Sequence, residues 1–373
     1  MKENILNFSF DELEEKLTSL IDYRFRILQV FTSMQKKYKT DFNDFIGIPK
    51  ELKDKLSQNF VFPYFNHITT TKSEDGTRKF LFEISGNKTS GKSKIETVLI
   101  SEDNRNTICV STQAGCNVGC EFCATGKMGL LKNLDVSQIL LQIYNVSKLA
   151  GIKPTNLVFM GMGEPFLNYD NLLKSLKILT DKRGFGISSK RITVSTVGLK
   201  TKINLLAGDL VKEENNSLRN IKLALSLHST NQGIRESIIP VAKNNRLPDL
   251  YKEIADFYKI TGNKITYEYI FFPGINDSND DISRIEKLSK MVPCNFNIIP
   301  FHQIGKELKP PLDIYNIDDN KNKGMHNSLL IKKLNYLITI LKSKKVVVNL
   351  RSSSGTDINA ACGQLATVYK ELK

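Results

Sequence analysis

The chain has 373 residues, of which 40% are hydrophobic and 25% are charged, as in soluble globular proteins. No apolar run is long enough to cross a membrane, and the N-terminus carries acidic residues in amphipathic spacing instead of a signal peptide, so we expect a cytoplasmic protein. The net charge of +14 suits a polyanionic partner, although a lysine-rich solvated surface would give the same value.

The spacing of apolar residues divides the chain into three regions. Residues 1–60 repeat apolar residues at helical spacing, as in FDELEEKLTSLIDYRFRILQVFTSM and IPKELKDKLSQNF, and predict a small helical domain. Residues 61–105 hold the alternating stretches KFLFEI and ETVLI. These stretches are joined by turn signals at Glu74-Asp75-Gly76 and Gly86-Asn87, and predict antiparallel strands.

From residue 106 to residue 373, short β-rich runs alternate with helical segments. The runs are TICVST, NLVFMG, RITVSTV, IKLALSLH, KITYEYIFF, CNFNIIP and KVVVNLR. Asp135 and Asn168 stand at plausible helix caps between them. Strands that alternate with helices indicate parallel βαβ units, and six or seven units fit an open or partial barrel better than a closed eight-fold one. A flat doubly wound sheet is the alternative, although its usual glycine-rich turn is absent.

Reactive residues follow several of these runs. In a barrel, the carboxyl ends of the strands form one rim, which carries the functional residues. The candidates there are a cysteine triplet after TICVSTQAG, Gly161-Met162-Gly163-Glu164-Pro165, Ser195, Ser226-Leu227-His228, His302 and Cys362. We therefore expect side chains that are far apart in sequence to meet on one rim.

The triplet CNVGCEFC contains Cys116, Cys120 and Cys123. In a reducing compartment such cysteines indicate metal binding or catalysis more than disulfides. A structural zinc site needs a second pair of ligands, which is missing here. The spacing C-x3-C-x2-C suits a [4Fe-4S] cluster with three irons held by thiolates, and the fourth iron could chelate S-adenosylmethionine.

The stretch GMGEP favours the same chemistry. Two glycines let the backbone approach a ligand, and the Glu164 carboxylate could receive an ammonium group. Taken alone, the stretch could equally be a strand-to-helix turn.

Three cysteines lie outside the triplet. Cys362 stands in GTDINAACGQ, a loop of small and polar residues that suits an exposed nucleophilic thiol. Buried free cysteine is common as a small hydrophobe, and this alternative stays open for Cys109. Cys294, at the start of a predicted strand, is interpreted as structural.

Together these motifs resemble the RlmN/Cfr family of radical S-adenosylmethionine methyltransferases, which act on 23S ribosomal RNA. The resemblance covers nearly the whole chain and includes IETVLI, RNTICVSTQAGCNVGCEFCATGKMGLLKNL, FMGMGEPFLNYDN, RITVST, SLHS, PGINDS and GTDINAACGQL. It implies an α/β fold with a partial (β/α)6 barrel, an N-terminal helical RNA-binding domain and a linking β-hairpin. It also implies a monomer that receives electrons from a flavodoxin-type donor.

The resemblance implies a [4Fe-4S] cluster on Cys116, Cys120 and Cys123, and two molecules of S-adenosylmethionine in each turnover. The implied contacts to S-adenosylmethionine are Gly163, Glu164, Ser195, Ser226, Leu227 and His228, with His302 where the family has asparagine.

The resemblance also implies a covalent mechanism. Cys362 would take a methyl group from the first S-adenosylmethionine, and a 5′-deoxyadenosyl radical from the second would abstract a hydrogen atom from that methyl group. The resulting radical would add to an adenine ring carbon. Glu96 would accept a proton, and Cys109 would release the RNA by forming a disulfide with Cys362.

The two branches of the family methylate different carbons of adenosine 2503 in 23S rRNA. RlmN methylates carbon 2, whereas Cfr methylates carbon 8 and confers resistance to antibiotics of the peptidyl-transferase centre. The Cfr branch is favoured by the stretches SLHS, PGINDS, CATGKMGLLKNL and RSSSGTDINAACGQL. Pro165 favours RlmN, because the Cfr prototype has alanine at that position. The sequence therefore favours methylation of carbon 8. The alternative is methylation of carbon 2, with tRNA as a further substrate.

Two other classes of protein stay open. A non-catalytic zinc module that binds RNA would also benefit from the positive charge. A radical enzyme acting on a small molecule or a protein would carry the same cysteine triplet.

Overall fold

The computed structural model describes residues 2–21, 23–85, 91–316, 323–351 and 353–366, without the side chains of 323–329. The turn predicted at Gly86-Asn87 lies outside these ranges. The described helices are α1 Phe10–Leu17, α2 Arg24–Gln35, α3 Lys50–Asn59, α4 Ala124–Met128, α5 Val136–Ala150, α6 Tyr169–Thr180, α7 Lys202–Val211, α8 Gln232–Ile238, α9 Leu247–Thr261, α10 Asn279–Ser289 and α11 Lys323–Ser343. None of them is long and apolar enough to cross a membrane.

The described strands form one large sheet and two small ones. They are β1 Glu3–Asn4, β2 Phe60–Val61, β3 Phe65–Lys72, β4 Arg78–Ser85, β5 Lys92–Glu102, β6 Arg105–Cys109, β7 Gln113–Gly115, β8 Leu130–Asn133, β9 Asn156–Phe159, β10 Ile192–Thr196, β11 Lys222–Ser226, β12 Ile265–Phe271, β13 Cys294–Pro300 and β14 Val348–Leu350. The ten-stranded sheet has the order β14-β13-β12-β11-β10-β9-β6-β5-β4-β3.

Seven neighbouring strands of the large sheet, β6 and β9 to β14, are parallel, and each overlaps one of the predicted β-rich runs. Their order in the sheet follows their order in the chain, without the reversal that defines a doubly wound sheet. The structure therefore confirms the α/β class and the partial barrel. Helices α5 and α6 pack together outside the sheet, as do α7 with α9 and α10 with α11.

The linking region adds three antiparallel strands, β3 to β5, at the β6 edge of this sheet. β5 pairs directly with β6, so that Val98 lies opposite Cys109. The region predicted to link two domains is thus continuous with the sheet that carries the cysteines.

The N-terminal helical stretch is interrupted. α1 begins with a capping box formed by Ser9 and Glu12 and ends at Leu17, and six residues separate it from α2. Asp135 caps α5 with the capping box that its position suggested. Asn168 precedes α6 but does not cap it, because its amide donates instead to the carbonyls of Thr112 (2.8 Å) and Leu134 (2.7 Å).

Candidate active site

The three cysteines of the triplet line one cavity. The chain leaves β6, passes through β7 and forms a loop at residues 116–123, which we call the cluster loop and which leads directly into α4. The backbone amide of Glu121 donates to the carbonyl of Ile238 (2.9 Å), which ties the loop to the end of α8. Cys116 and Cys120 are buried, and Cys123 is half-buried.

The surroundings of these thiols are apolar. Cys116 and Cys120 belong to a buried hydrophobic cluster that includes Val118, Phe122 and Ile270. Burial raises the pKa of Cys116 to about 12 and raises the pKa of Cys120 well above its ordinary value. A thiolate here therefore needs a cationic partner such as iron. Three sulfur donors that line one cavity fit a [4Fe-4S] cluster.

Glu164 lines the same cavity and is 3% exposed. Its carboxylate accepts hydrogen bonds from the backbone amides of Phe166 (3.1 Å) and Val197 (2.9 Å). Burial raises the pKa of Glu164 to about 7, and the amide of Val197 partly offsets this rise. Because a carboxylate has about four lone-pair sites, the two backbone bonds leave room for an ammonium donor.

The glycines before Glu164 allow the chain to approach itself. Gly163 has a φ of +98°, and a Cβ atom there would lie 2.5 Å from the Cβ of Gln113. A Cβ on Gly161 would lie 2.8 Å from the backbone nitrogen of Ser111. Close contacts within the protein therefore explain why both positions need glycine. The sequence had suggested close approach to a ligand as the reason. Both residues nevertheless line the cavity.

Ser195, Ser226 and His228 complete the polar wall of this cavity. The two serine hydroxyl oxygens lie 3.4 Å apart. Nδ1 of His228 accepts a hydrogen bond from the amide of Ile270 (3.1 Å), which assigns the ring proton to Nε2. Burial, with a smaller effect of Arg235, lowers the pKa of His228 to about 3, so the ring is neutral.

Two predicted contacts lie away from this wall. In the described part of the chain, the residues lining the cavity do not include Leu227 or His302. The Leu227 side chain packs in the main core, and its backbone amide donates to the carbonyl of Glu268 (3.0 Å). Nε2 of His302 is buried and has no hydrogen-bond partner among the described residues. A buried polar atom of this kind would be satisfied by a bound group.

A second cavity meets the first beside Cys362. Cys362 and Arg351 line both cavities, and Cys109 lines the second. Burial, together with the nearby Cys362, raises the pKa of Cys109 to about 12. The structure thus brings Cys109 and Cys362 to one cavity as free thiols, while Cys294 lies in the core at the start of β13.

Glu96 lies beside the Cys362 segment but is absent from the described residues that line the two cavities. One of its carboxylate oxygens accepts from the amide of Ala366 (2.9 Å), and the other pairs with Nζ of Lys79 (3.1 Å). Each oxygen of the Glu96 carboxylate therefore has one partner within the protein and keeps a lone pair for a further donor or a proton.

The sequence pattern did not mark three charged residues at the site, Arg351, Glu268 and Arg235. Nη1 of Arg351 lies 3.3 Å from Oε2 of Glu268, and both residues line the first cavity. Glu268 lies within the apolar run KITYEYIFF. A charged residue in such a run predicts a buried charge, and a buried charge needs a partner. Arg235, with no exposed surface, donates to the carbonyls of Leu227 (3.1 Å) and Ser226 (3.2 Å) and braces the end of β11.

Comparisons with known proteins show which family the chain resembles. Residues 110–285 match the family model of the radical SAM superfamily. A "Probable dual-specificity RNA methyltransferase RlmN" from Clostridium novyi is 35% identical over 368 residues, which cover 98% of each chain. The protein of the same name from Flavobacterium psychrophilum is 36% identical over 369 residues, again 98% of each chain.

A solved structure extends the likeness to the fold. The crystal structure of a radical SAM methyltransferase from Sphaerobacter thermophilus matches with a TM-score of 0.83 at 31% identity, and covers 97% of this chain and 99% of that one. This chain therefore belongs to the RlmN family of radical S-adenosylmethionine methyltransferases.

Proposed function

We propose that this protein methylates a ring carbon of adenine in RNA, with Cys362 as the carrier of the one-carbon unit. The observation that carries the proposal is the position of Cys362, which lines both the cavity of the triplet and the cavity of Cys109. A group bound there can be reached from both cavities without leaving the site. The net charge of +14 and the names of the relatives favour RNA as the substrate.

Cys116, Cys120 and Cys123 would hold a [4Fe-4S] cluster, which together with S-adenosylmethionine supplies a methyl group and a 5′-deoxyadenosyl radical. Radical chemistry is required because carbons 2 and 8 of adenine are not nucleophilic, so a polar methyl transfer cannot reach them. The apolar surroundings of the three thiols would keep water away from such a radical.

The polar wall of the first cavity would bind S-adenosylmethionine. Glu164 would receive its ammonium group, because the buried carboxylate retains lone pairs for another donor. The hydroxyl groups of Ser195 and Ser226 would bind neighbouring polar atoms of the ligand. His228 is neutral, so it could donate a hydrogen bond from Nε2 without repelling the positive sulfonium.

The two outlying thiols would share the covalent work. Cys362 would accept a methyl group, which would lose a hydrogen atom to the 5′-deoxyadenosyl radical and bond to the adenine carbon. Glu96 would take the proton from that carbon, and the remaining unpaired electron would pass to the cluster. The thiolate of Cys109 would then attack the Cys362 sulfur, so that a disulfide forms as the bond between sulfur and carbon breaks, and the carbon left on the RNA would gain a proton to become the methyl group.

We take carbon 2 of adenosine 2503 in 23S rRNA, with tRNA as a further substrate, as the first candidate. The names of the relatives favour it, as does Pro165 in the position where the Cfr prototype has alanine. The second candidate is carbon 8, with the antibiotic resistance that it would confer. The stretches SLHS, PGINDS and RSSSGTDINAACGQL favour this second product. A monomer in the cytoplasm with a flavodoxin-type donor completes the proposal.

The test is methylation of 23S rRNA by anaerobically reconstituted protein, with mass spectrometry of the nucleosides to distinguish 2-methyladenosine from 8-methyladenosine. We expect about four irons per chain and a methylated adenosine in the RNA. Cys362→Ala should abolish the product, whereas Cys294→Ala, at a buried position in the core, is the matched control. Methylation by the Cys362→Ala variant would remove Cys362 from the mechanism. A colourless protein with stoichiometric zinc would contradict the radical chemistry.

A further inference from the structure

The segment that carries Cys362, residues 353–366, is bound to the turn between β3 and β4. We call residues 73–77 of this turn the hairpin tip. The carboxylate of Asp357 accepts hydrogen bonds from the hydroxyl of Ser73 (2.5 Å) and from the next backbone amide of the tip (3.2 Å). Ser73 is buried by this contact, at 5% exposure.

A second carboxylate makes the reverse connection. Asp75 of the hairpin tip accepts from the backbone amides of Gly355 (2.8 Å) and Thr77 (2.8 Å). Gly355 has a φ of +71°, and a Cβ atom there would lie 2.9 Å from Cγ2 of Thr77. The two segments therefore touch closely as well as exchanging hydrogen bonds.

The strands that follow the tip hold the same segment further along. Nζ of Lys79, in β4, donates to the carbonyl of Asn359 (3.2 Å) and pairs with Glu96 in β5. Glu96 in turn accepts from the amide of Ala366. The linking strands thus bind this segment both before and after Cys362.

The cluster loop and α4 hold the residues immediately after Cys362. The amide of Ala124 donates to the carbonyl of Gly363 (2.7 Å), and the hydroxyl of Thr125 donates to the carbonyl of Leu365. Gly363 has a φ of +83°, and a Cβ atom there would lie 2.9 Å from the carbonyl oxygen of Phe122. Cys362 is therefore the junction between a stretch held by the hairpin tip and a stretch held beside the triplet.

We propose that the hairpin tip is a positioning element for Cys362, which fixes its thiol at the meeting point of the two cavities. The proposal rests on the proposed role of Cys362 as the carrier of the methyl group. Between residues 353 and 366 the regular structure is one three-residue 3-10 helix, Thr356–Ile358, and Asn359 has a φ of +51°. Such a segment depends on outside contacts to keep one conformation.

The positioning must be accurate because one thiol has to serve two cavities. A misplacement of about 1 Å can cost about a hundredfold in rate. Ser73 and Asp357 would act through the position of the thiol and not by touching the substrate. Loss of their contact should therefore disturb the transfer of carbon to RNA more than the cleavage of S-adenosylmethionine.

The experiment compares Ser73→Ala and Asp357→Asn with a matched control, Glu74→Gln. Glu74 belongs to the same turn, and its side chain is exposed, with no hydrogen bond or ion pair to the described residues of the 353–366 segment, although its backbone amide donates to Asp357. The first measurement is the rate at which iodoacetamide alkylates Cys362 in the holoenzyme, resolved by peptide mass spectrometry. The second is the amount of 5′-deoxyadenosine formed for each methyl group transferred, at equal iron content.

We expect both test variants to alkylate Cys362 about fivefold faster, the change that accompanies loss of one partly exposed, charge-assisted hydrogen bond. The ratio of 5′-deoxyadenosine to methyl groups should rise with it, and Glu74→Gln should match the unmodified protein. Equal alkylation rates in all four proteins would overturn the proposal. Alkylation needs no RNA, so an enzyme that failed to methylate RNA would contradict the proposed function while the role of the tip was still decided.

Discussion

Replacing Arg351 with methionine would leave the carboxylate of Glu268 buried without its cation. Arg351 lies directly after β14, Glu268 lies in β12, and the two side chains form part of the wall of the first cavity. Glu268 is 4% exposed, and its other carboxylate oxygen accepts a hydrogen bond from Asn297 (2.9 Å). Methionine keeps much of the length of arginine, so the loss of charge dominates the change.

The expected cost follows from burial and geometry. Removing one partner of a buried ion pair costs about 3–5 kcal/mol. The Arg351 side chain is 26% exposed and Asn297 continues to donate, so we expect the lower end, about 3 kcal/mol. Unfolding entropy is about 2.1 cal/mol/K per residue, or about 0.8 kcal/mol/K for 373 residues. The Tm should therefore fall by about 4 °C.

The assay is thermal unfolding of Arg351→Met, Glu268→Gln and the double variant. The double variant should recover most of the lost stability, because it no longer buries an unpaired charge. Arg351→Lys, which keeps the charge, should fall between the unmodified protein and Arg351→Met. If the fall in Tm of the double variant equals the sum of the falls of the two single variants, the two side chains are not coupled and the reasoning is refuted.

Three further predictions concern ligand binding, acid stability and the cluster loop. Glu164→Gln should weaken the binding of S-adenosylmethionine about tenfold in anaerobic equilibrium dialysis, because it removes the charge that would face the ammonium group, whereas the exposed Glu213→Gln should not. Burial alone would raise the pKa of Asp75, but hydrogen bonds from two backbone amides lower it to about 2. The pKa of Asp75 in the folded protein is below its unfolded value of about 3.9. The stabilisation from its hydrogen bonds should therefore be complete above about pH 4 and be lost as the pH falls to about 2. In thermal unfolding, Asp75→Asn should lack this dependence of stability on pH. Gly363→Ala should slow S-methylation of Cys362 at unchanged iron content, since its Cβ would strike the cluster loop, and Gly262→Ala, at positive φ in open space, should not.

The fold was readable from the sequence where burial fixes the pattern. Parallel strands covered on both faces appear as continuous apolar runs, and each predicted run became one strand. β3 was missed because its residues FNHITTTK are mostly exposed or half-buried, and they do not alternate cleanly. The break between α1 and α2 contains neither glycine nor proline, so local propensity could not reveal it. Packing of Leu17 and Ile21 into the core accompanies that break.

The sequence could predict those site residues that the sheet topology brings together. Because parallel strands end on one rim, residues from several of them could be expected to share a cavity, and most of them do. Leu227 shows the limit of this argument, since a residue at a strand end can turn its side chain into the core. Ion pairs show another limit. Glu268 and Arg351 are 83 positions apart, and the local sequence around one residue does not predict the other as its partner.

The linking strands belong to the site for a physical reason. β5 pairs with β6 on one side and with β4 on the other, so Val98 lies between Cys109 of β6 and Lys79 of β4. The same pairing brings the hairpin tip within hydrogen-bonding distance of the Cys362 segment, nearly the length of the chain away. A sequence pattern can mark this tip as a turn, because Glu-Asp-Gly is a turn signal. Its carboxylate at Asp75 acquires a partner when the sheet has formed, so the position of the Cys362 thiol depends on strands outside the barrel.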